Sequence, residues 1–336
     1  MENSKIKLVI LGIVVVLALI FWLAPPDFLK LKPQPVKVQY QVGAGGHSEL
    51  RAQVIKKYGI DKKYGVDFEI VSADPGELER RMVSGESYLA DVSPFVVLGA
   101  KQKNISLRIL SPSLLFNDDL IVLKNSSATS LGDLKGKKFG TRPKVTAAYS
   151  ATAIVFKSAG FDIAKDFRLL FGNLIQTADA VERGEADFSS VGYPNVAPLL
   201  ASGKFKSIGT LGDIWSGKED GLPLPFVAVV ANGDWFEKNK GTALGAVRAI
   251  LEGGRLIQER PGVISELTDY LNKNNYNTPQ IKSLLEANIP SLLFANWGDK
   301  EIKAFERYFA RAKQLNIIPP DAPIESYIVK PSELGI

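Results

Sequence analysis

Two hydrophobic rhythms alternate along the chain. Val36 to Val42, VKVQYQV, switches between apolar and polar at each residue, the period of a half-buried strand. SELRAQVIKKY after it spaces its apolar residues at helical intervals, which predicts a helix from Ser48 to Tyr58. The exchange then repeats. VDFEIVS (Val66 to Ser72) reads as a strand, GELERRMVSG as a helix and YLADVS as a short strand followed by PFVVLGAKQ. LRILSPSLLF and DLIVLKN are further strands. A second round begins near Leu131. LGDLKGK is a cap and turn, KFGT a strand, TAAYSATAIVFKSAG a helix, FRLLFG a strand, ADAVERGEA a helix, FSSVG a strand and NVAPLLASG a helix. This βαβ rhythm predicts an α/β protein with open, mostly parallel sheets and helices on both faces. Ligands in such sheets sit beyond the carboxyl ends of the strands.

Phe226 to Ala231, FVAVVA, is one more apolar β run. From Trp235 onward the period is helical, over Ala243–Gln258, Ile264–Leu271, Ile281–Ala287 and Ile302–Leu315. A helical block of that length must bury its apolar face, and the first sheet is the available partner. The expected path is therefore out and back. Residues 36–119 and 226–336 form lobe 1 and residues 120–225 form lobe 2, with hinge strands near Leu120–Lys124 and Phe226–Ala231. A length of 336 residues suits two lobes, at about 100–200 residues per domain.

The N-terminus follows a different pattern. Lys5 and Lys7 precede a run without charge from Leu8 through Pro26, at the short end of what spans a bilayer. Trp22-Leu23-Ala24 followed by Pro25 suits signal-peptidase cleavage badly, so residues 1–24 read as an uncleaved single-pass anchor, with a cleaved signal peptide as the alternative. Residues 25–35 are a proline-stiffened stalk. The globular part is expected to be extracytoplasmic and monomeric, held to the cell membrane by the N-terminal helix.

Composition narrows the chemistry. The net charge is +5, of which residues 1–35 account for +2 with four lysines and two acids. No Lys/Arg block tracks phosphates, so nucleic acid is not an expected partner. With no cysteine there is no disulfide, thiolate nucleophile, Cys–zinc site or cysteine-linked lipid. A single histidine excludes a His-rich metal site within one chain. No cofactor is called for.

The candidate ligand residues fall at strand ends. GAGGHS puts Gly45, Gly46 and His47 at a strand–helix junction, where glycines admit a ligand to the backbone and a helix start offers N–H groups. It is an incomplete dinucleotide fingerprint, and the GxxxxGK[ST] phosphate loop is absent. Ser93 closes YLADVS. Asn117 and Asp118 lie between two strands. Arg142, Lys144 and Thr146 open the helix from Ala147, where positive charge suits an anionic head group. Tyr193 opens the next helix, and Tyr149, Tyr193 and Trp215 are candidate aromatic walls. Each has a structural alternative: a tight turn, a solvated basic loop or a core aromatic.

DLKGKKFGT, the helix ending KSAGFD and the stretch DAVERGEADFSSVGYP together resemble the second lobe of periplasmic solute-binding proteins. KKYGVDFEIV, GELERRMVSGE, DVSP and the position of GAGGHS match the first lobe of the same plan. The group resembled serves ABC importers of nitrate, taurine, alkanesulfonates and thiamine-pyrimidine precursors, and the likeness spans about residues 36–315. It implies the type II periplasmic-binding architecture, with a ligand held between the lobes by the strand-end loops and delivered to an ABC permease and its ATPase subunits. The family's lipid-anchoring cysteine is absent, which leaves tethering to the hydrophobic segment. The sulfinate-cleaving and pyrimidine-synthesising relatives depend on cysteine, so their chemistry does not transfer. The expected function is binding of a small organic anion, not catalysis. The alternatives are a flat heteroaromatic ligand, an enzyme using His47 as base, and a sensor without a transporter.

Overall fold

Each rhythm builds its own five-stranded sheet. A computed structural model describes residues 34–144 and 146–336. The first sheet holds β1 (Val36–Gly43), β2 (Val66–Ala73), β3 (Leu89–Val92), β4 (Leu107–Leu115) and β10 (Pro225–Asn232), in the order β2-β1-β3-β10-β4. The second holds β5 (Asp119–Leu123), β6 (Lys138–Thr141), β7 (Arg168–Phe171), β8 (Phe188–Val191) and β9 (Phe205–Thr210), in the order β7-β6-β8-β5-β9.

The sheets are mixed, which corrects the expectation of mostly parallel pairing. β1 runs parallel to β2 and β3, and β6 to β7 and β8. β10 runs antiparallel to β3 and β4, and β5 to β8 and β9. The reason lies in the crossings between sheets. β4 ends at Leu115 and β5 begins at Asp119, so only Phe116, Asn117 and Asp118 separate them. β5 therefore enters the second sheet at the end where its parallel neighbours finish, and runs against them. β10 re-enters the first sheet beside the outgoing crossing, where the Phe116 N–H donates to the Leu224 carbonyl at 3.0 Å.

The helical block from Gly233 onward covers the first sheet. The Lys240–Glu259 helix packs on the His47–Lys57 helix. On another side of the same helix glycine permits a close approach: a Cβ on Gly254 would lie 2.5 Å from the Phe294 carbonyl oxygen. Isolated bridges from Leu114 to Leu293 and from Ile109 to Ile328 tie later segments to β4. The Asp299–Gln314 helix buries Phe305, Tyr308 and Phe309. In the second sheet Phe139 stacks on Phe188 at 4.5 Å, with Phe156 and Phe167 around them.

Local boundaries shift slightly from expectation. The first helix starts at His47, and the helix carrying DAVERGEA stops at Glu182, which leaves Glu185 and Asp187 in the following turn. KSIGTLGDIW divides into the end of β9 and the Leu211–Ser216 helix, capped by the Thr210 side chain. The expected anchor and most of the stalk lie outside the described residues. Among the described residues no helix is long and apolar enough to cross a membrane.

Candidate functional site

The strand-end loops of the two sheets meet in two different ways, one as a sealed seam and the other as an open cleft.

GAGGHS belongs to the seam. Gly45 takes a positive φ of 68°, and its N–H donates to Glu49 Oε2 at 2.6 Å. The Gly43 N–H donates to Ser48 Oγ at 3.2 Å. The Tyr270 hydroxyl donates to the Gly45 and Gly46 carbonyls at 2.8 and 3.1 Å. Glu49 is buried and also receives the Ser72 hydroxyl at 2.8 Å, with Lys273 Nζ at 3.3 Å. Most of the loop's polar groups are thus satisfied from within its own lobe.

His47 reaches across. Its Nδ1 lies 3.1 Å from the Tyr193 carbonyl oxygen. Burial, reinforced by the Arg51 guanidinium, lowers its pKa to about 4, so the ring is neutral at pH 7. A carbonyl only accepts, so Nδ1 carries the proton and Nε2 is left as a buried acceptor with no protein partner. Tyr276 crosses the same seam and donates to Asn195 Oδ1 at 3.1 Å. Apolar side chains from both sides complete it, among them Leu50 and Val54 with Tyr193, Val196 and Ala197.

Beneath the seam lies Arg51, which sequence reasoning missed. It is fully buried on the first helix and donates to Asp91 Oδ2 at 2.8 Å, Tyr40 Oη at 2.9 Å, Ser113 Oγ at 2.7 Å and the Ser113 carbonyl at 3.0 Å. The network fixes the helix that carries His47 to β1, β3 and β4 at once. The available signal was a charge in SELRAQV directly beside Leu50, on the helix's apolar side.

At the crossing into the second lobe the expected residues bond to its loops. Arg142 donates through one guanidinium nitrogen to Asp118, and through the other to the Ser190 carbonyl and to Ser190 Oγ, the last at 3.1 Å. Its charge is therefore matched by Asp118 of the crossing, while Lys144 is exposed. Asn117 Oδ1 accepts the Gly212 N–H at 2.9 Å. Burial, with Asp118 and Asp213 nearby, raises the pKa of Asp119 to about 6. The three expected aromatics do not share a wall. Trp215 is fully buried, edge-on to Tyr308; Tyr193 lies in the seam; Tyr149 is half-buried beside Phe171.

The open cleft has a volume of about 440 Å³. Its first wall is the Pro75–Ser84 helix, which presents Glu79 and Arg80, with Ser93 and Phe95 following β3. Its second wall is the start of the Ala147–Ser158 helix, with Thr146, Ala147 and Ser150. Ile317 and Ile318 close one side. Thr146 caps this helix by accepting the Tyr149 N–H at 3.2 Å. The Ser150 N–H begins the intrahelical ladder at the Thr146 carbonyl, so the amides of Ala147 and Ala148 precede it and have no intrahelical acceptor. The cleft thus combines a helix N-terminus with the hydroxyls of Ser93 and Ser150, donors suited to an oxyanion. Of the expected ligand residues, Ser93 and Thr146 line it.

Two mixed sheets joined by two adjacent crossings, with a cleft between their strand-end loops, define a two-lobed solute-binding protein. Solved structures share this architecture. The alkanesulfonate-binding protein SsuA from Xanthomonas axonopodis pv. citri, bound to MOPS, aligns with a TM-score of 0.70 at 13% identity over 88% of this chain and 99% of its own. SsuA from Escherichia coli gives 0.70 at 15% identity, over 88% of this chain and 93% of its own. The periplasmic nitrate-binding protein NrtA from Synechocystis PCC 6803 gives 0.66 at 15%, over 88% and 85%. A family model described as ABC transporter, phosphonate, periplasmic substrate-binding protein matches residues 55–235. The chain belongs to that family. No curated protein matches it.

Proposed function

We propose that this protein captures a small organic anion in the cleft between Ser93 and the Ala147–Ser158 helix and presents it to an ABC permease. The observation that carries the reading is the cleft itself. The start of the Ala147–Ser158 helix, at Ala147, and the Ser150 hydroxyl line it from one lobe and the Ser93 hydroxyl from the other, so a ligand bonded to both walls would draw the lobes together. The similar solved structures bear the names of sulfonate- and nitrate-binding proteins, and the family model that of phosphonate, which supports an oxyanion head group. The lobes in this reading divide near residues 120 and 226, with β5 and β10 as hinge strands. The uncharged run from Leu8 to Pro26 holds the binding unit at the outer face of the membrane.

The dispersal of Tyr149, Tyr193 and Trp215 favours the anion over a flat heteroaromatic. A His47 pKa of about 4 makes that ring a weak base at neutral pH. The test is a thermal-shift screen of the full-length protein against alkylsulfonates, alkylphosphonates, nitrate and pyrimidines. A ligand at 100 times its dissociation constant stabilises the fold by about 2.7 kcal/mol. A shift from a sulfonate or phosphonate that is recovered chemically unchanged supports the proposal. A shift from pyrimidines alone, or turnover of the bound compound, overturns it.

A further inference from the structure

The seam and the cleft take up one end of the first sheet, and the opposite end forms a base of a different character. β1, β2, β3 and β4 start at this base and β10 finishes there, since Ala231 pairs with Leu89 and Asn232 with Leu107. Backbone bonds lace its turns into one surface. The Val36 N–H donates to the Gly65 carbonyl at 3.0 Å, the Asn232 N–H to the Tyr88 carbonyl at 3.0 Å and the Gly233 N–H to the Ser106 carbonyl at 2.8 Å. Lys37, Lys62, Lys101, Lys103, Arg108 and Lys238 stand in or beside these turns, and none has an acid partner among the described residues. The neighbouring acids are engaged: Asp61 and Asp67 by Lys56, Glu86 by Arg80 and Glu237 by Lys240. Asp234 is the exception. Val36 and Tyr88, 49% and 55% exposed, put apolar surface among these cations.

We propose that this base is a lipid-facing surface, which rests on anionic headgroups and turns the strand-end loops and the cleft away from the bilayer while solute is collected. Unpaired lysines around an exposed tyrosine match such a surface. The cations meet the negative headgroup layer, and an aromatic ring with a hydroxyl tip sits at headgroup depth. The course of the chain favours a membrane over any other acidic partner. The polypeptide enters β1 at this same base, and the segment ahead of it carries the uncharged run from Leu8 to Pro26. Residues 27–35 lie between the two, with Lys30 and Lys32 among them. A stretch of that length spans at most about 30 Å even when fully extended, so an anchored chain keeps the base near the headgroups. The surface stands on the described residues alone; the tether rests on the reading of residues 1–24 as an anchor.

Energy transfer from the full-length protein to an acceptor lipid tests this. The chain has no cysteine, so Gln102→Cys carries a single fluorophore at the base, and Asn277→Cys carries one next to Tyr276 at the seam. Transfer to a headgroup-labelled lipid is read in vesicles of phosphatidylcholine alone and of phosphatidylcholine with phosphatidylglycerol. In the anionic vesicles at low salt, transfer from the Gln102 position should be about twice that from the Asn277 position. The excess should shrink in neutral vesicles and at about 0.5 M salt, where surface charges are screened. Lys101→Gln, Lys103→Gln and Lys238→Gln combined should remove it while the melting temperature holds. Equal transfer from the two positions would overturn the proposal. An excess that ignores lipid charge would overturn it too, and assign the orientation to the tether alone. Release of the protein from the vesicles at high salt would overturn the anchor, and a charge-dependent excess at low salt would still support the base.

Discussion

His47 Nδ1 lies 3.1 Å from the carbonyl oxygen of Tyr193, 146 residues further along the chain. The contact joins the loop after β1 to the loop after β8, and so one sheet to the other. It places the glycine-rich turn in a seam that closes on itself, apart from the open cleft at Ser93 and Thr146.

His47 should therefore titrate far below an ordinary histidine. Its folded pKa of about 4 is depressed from the usual 6.5. Between these values the unfolded chain binds the extra proton, so stability is full above pH 6.5 and falls as the pH drops towards 4. The loss should be of order 3 kcal/mol. As the chain's single histidine, its ring signals can be followed by NMR without assignment. A midpoint near 6.5 would contradict the seam.

Arg51→Ala should cost about 3–5 kcal/mol in chemical denaturation, because it leaves the Asp91 carboxylate buried without its cation. Replacing the pair together, as Arg51→Met with Asp91→Leu, should recover part of that loss. A single-variant cost below 1 kcal/mol would show that the network does not hold the helix.

Arg142 and Lys144 should separate cleanly. Arg142→Ala unpairs Asp118 at the crossing into the second lobe and should lower the melting temperature. Lys144→Ala removes an exposed charge and should leave stability within about 0.5 kcal/mol. Equal melting temperatures for the two variants would contradict the bonding seen at Asp118.

Gly254→Ala runs against helix propensity. Alanine favours a helix interior by about 1 kcal/mol over glycine. Here its methyl would meet the Phe294 carbonyl oxygen at 2.5 Å, so the variant should be destabilised by about 1–3 kcal/mol. A stabilised variant would mean that the two segments separate easily.

The sheets were legible in the sequence where side chains alternate and where turns punctuate. VKVQYQV gives its strand and its buried face directly, because every second residue must enter the core. FVAVVA does not reveal its direction. An apolar run buried on both faces reads alike in parallel and antiparallel pairing, and only its return to the first sheet beside Phe116 makes it run against β3 and β4. Ser93 and Thr146 were legible as strand-end hydroxyls. Glu79 was not, since GELERRMVSG reads as an amphipathic helix whose acids face solvent; only tertiary placement brings that carboxyl to the cleft. Trp215 reads more readily as core than as ligand wall, and the structure buries it fully, edge-on to Tyr308.

The central claim is that the ligand sits in the Ser93–Thr146 cleft and not at the glycine-rich seam. The most direct measurement is the affinity of Ser150→Trp for whichever of ethanesulfonate or ethylphosphonate gives the larger thermal shift with the unsubstituted protein. Ser150 lines the cleft from the second lobe, and an indole there fills the space a ligand would need. The account predicts at least a hundredfold loss of affinity with the melting temperature of the unliganded protein unchanged. Undiminished affinity in a folded Ser150→Trp variant would contradict it and move the ligand elsewhere.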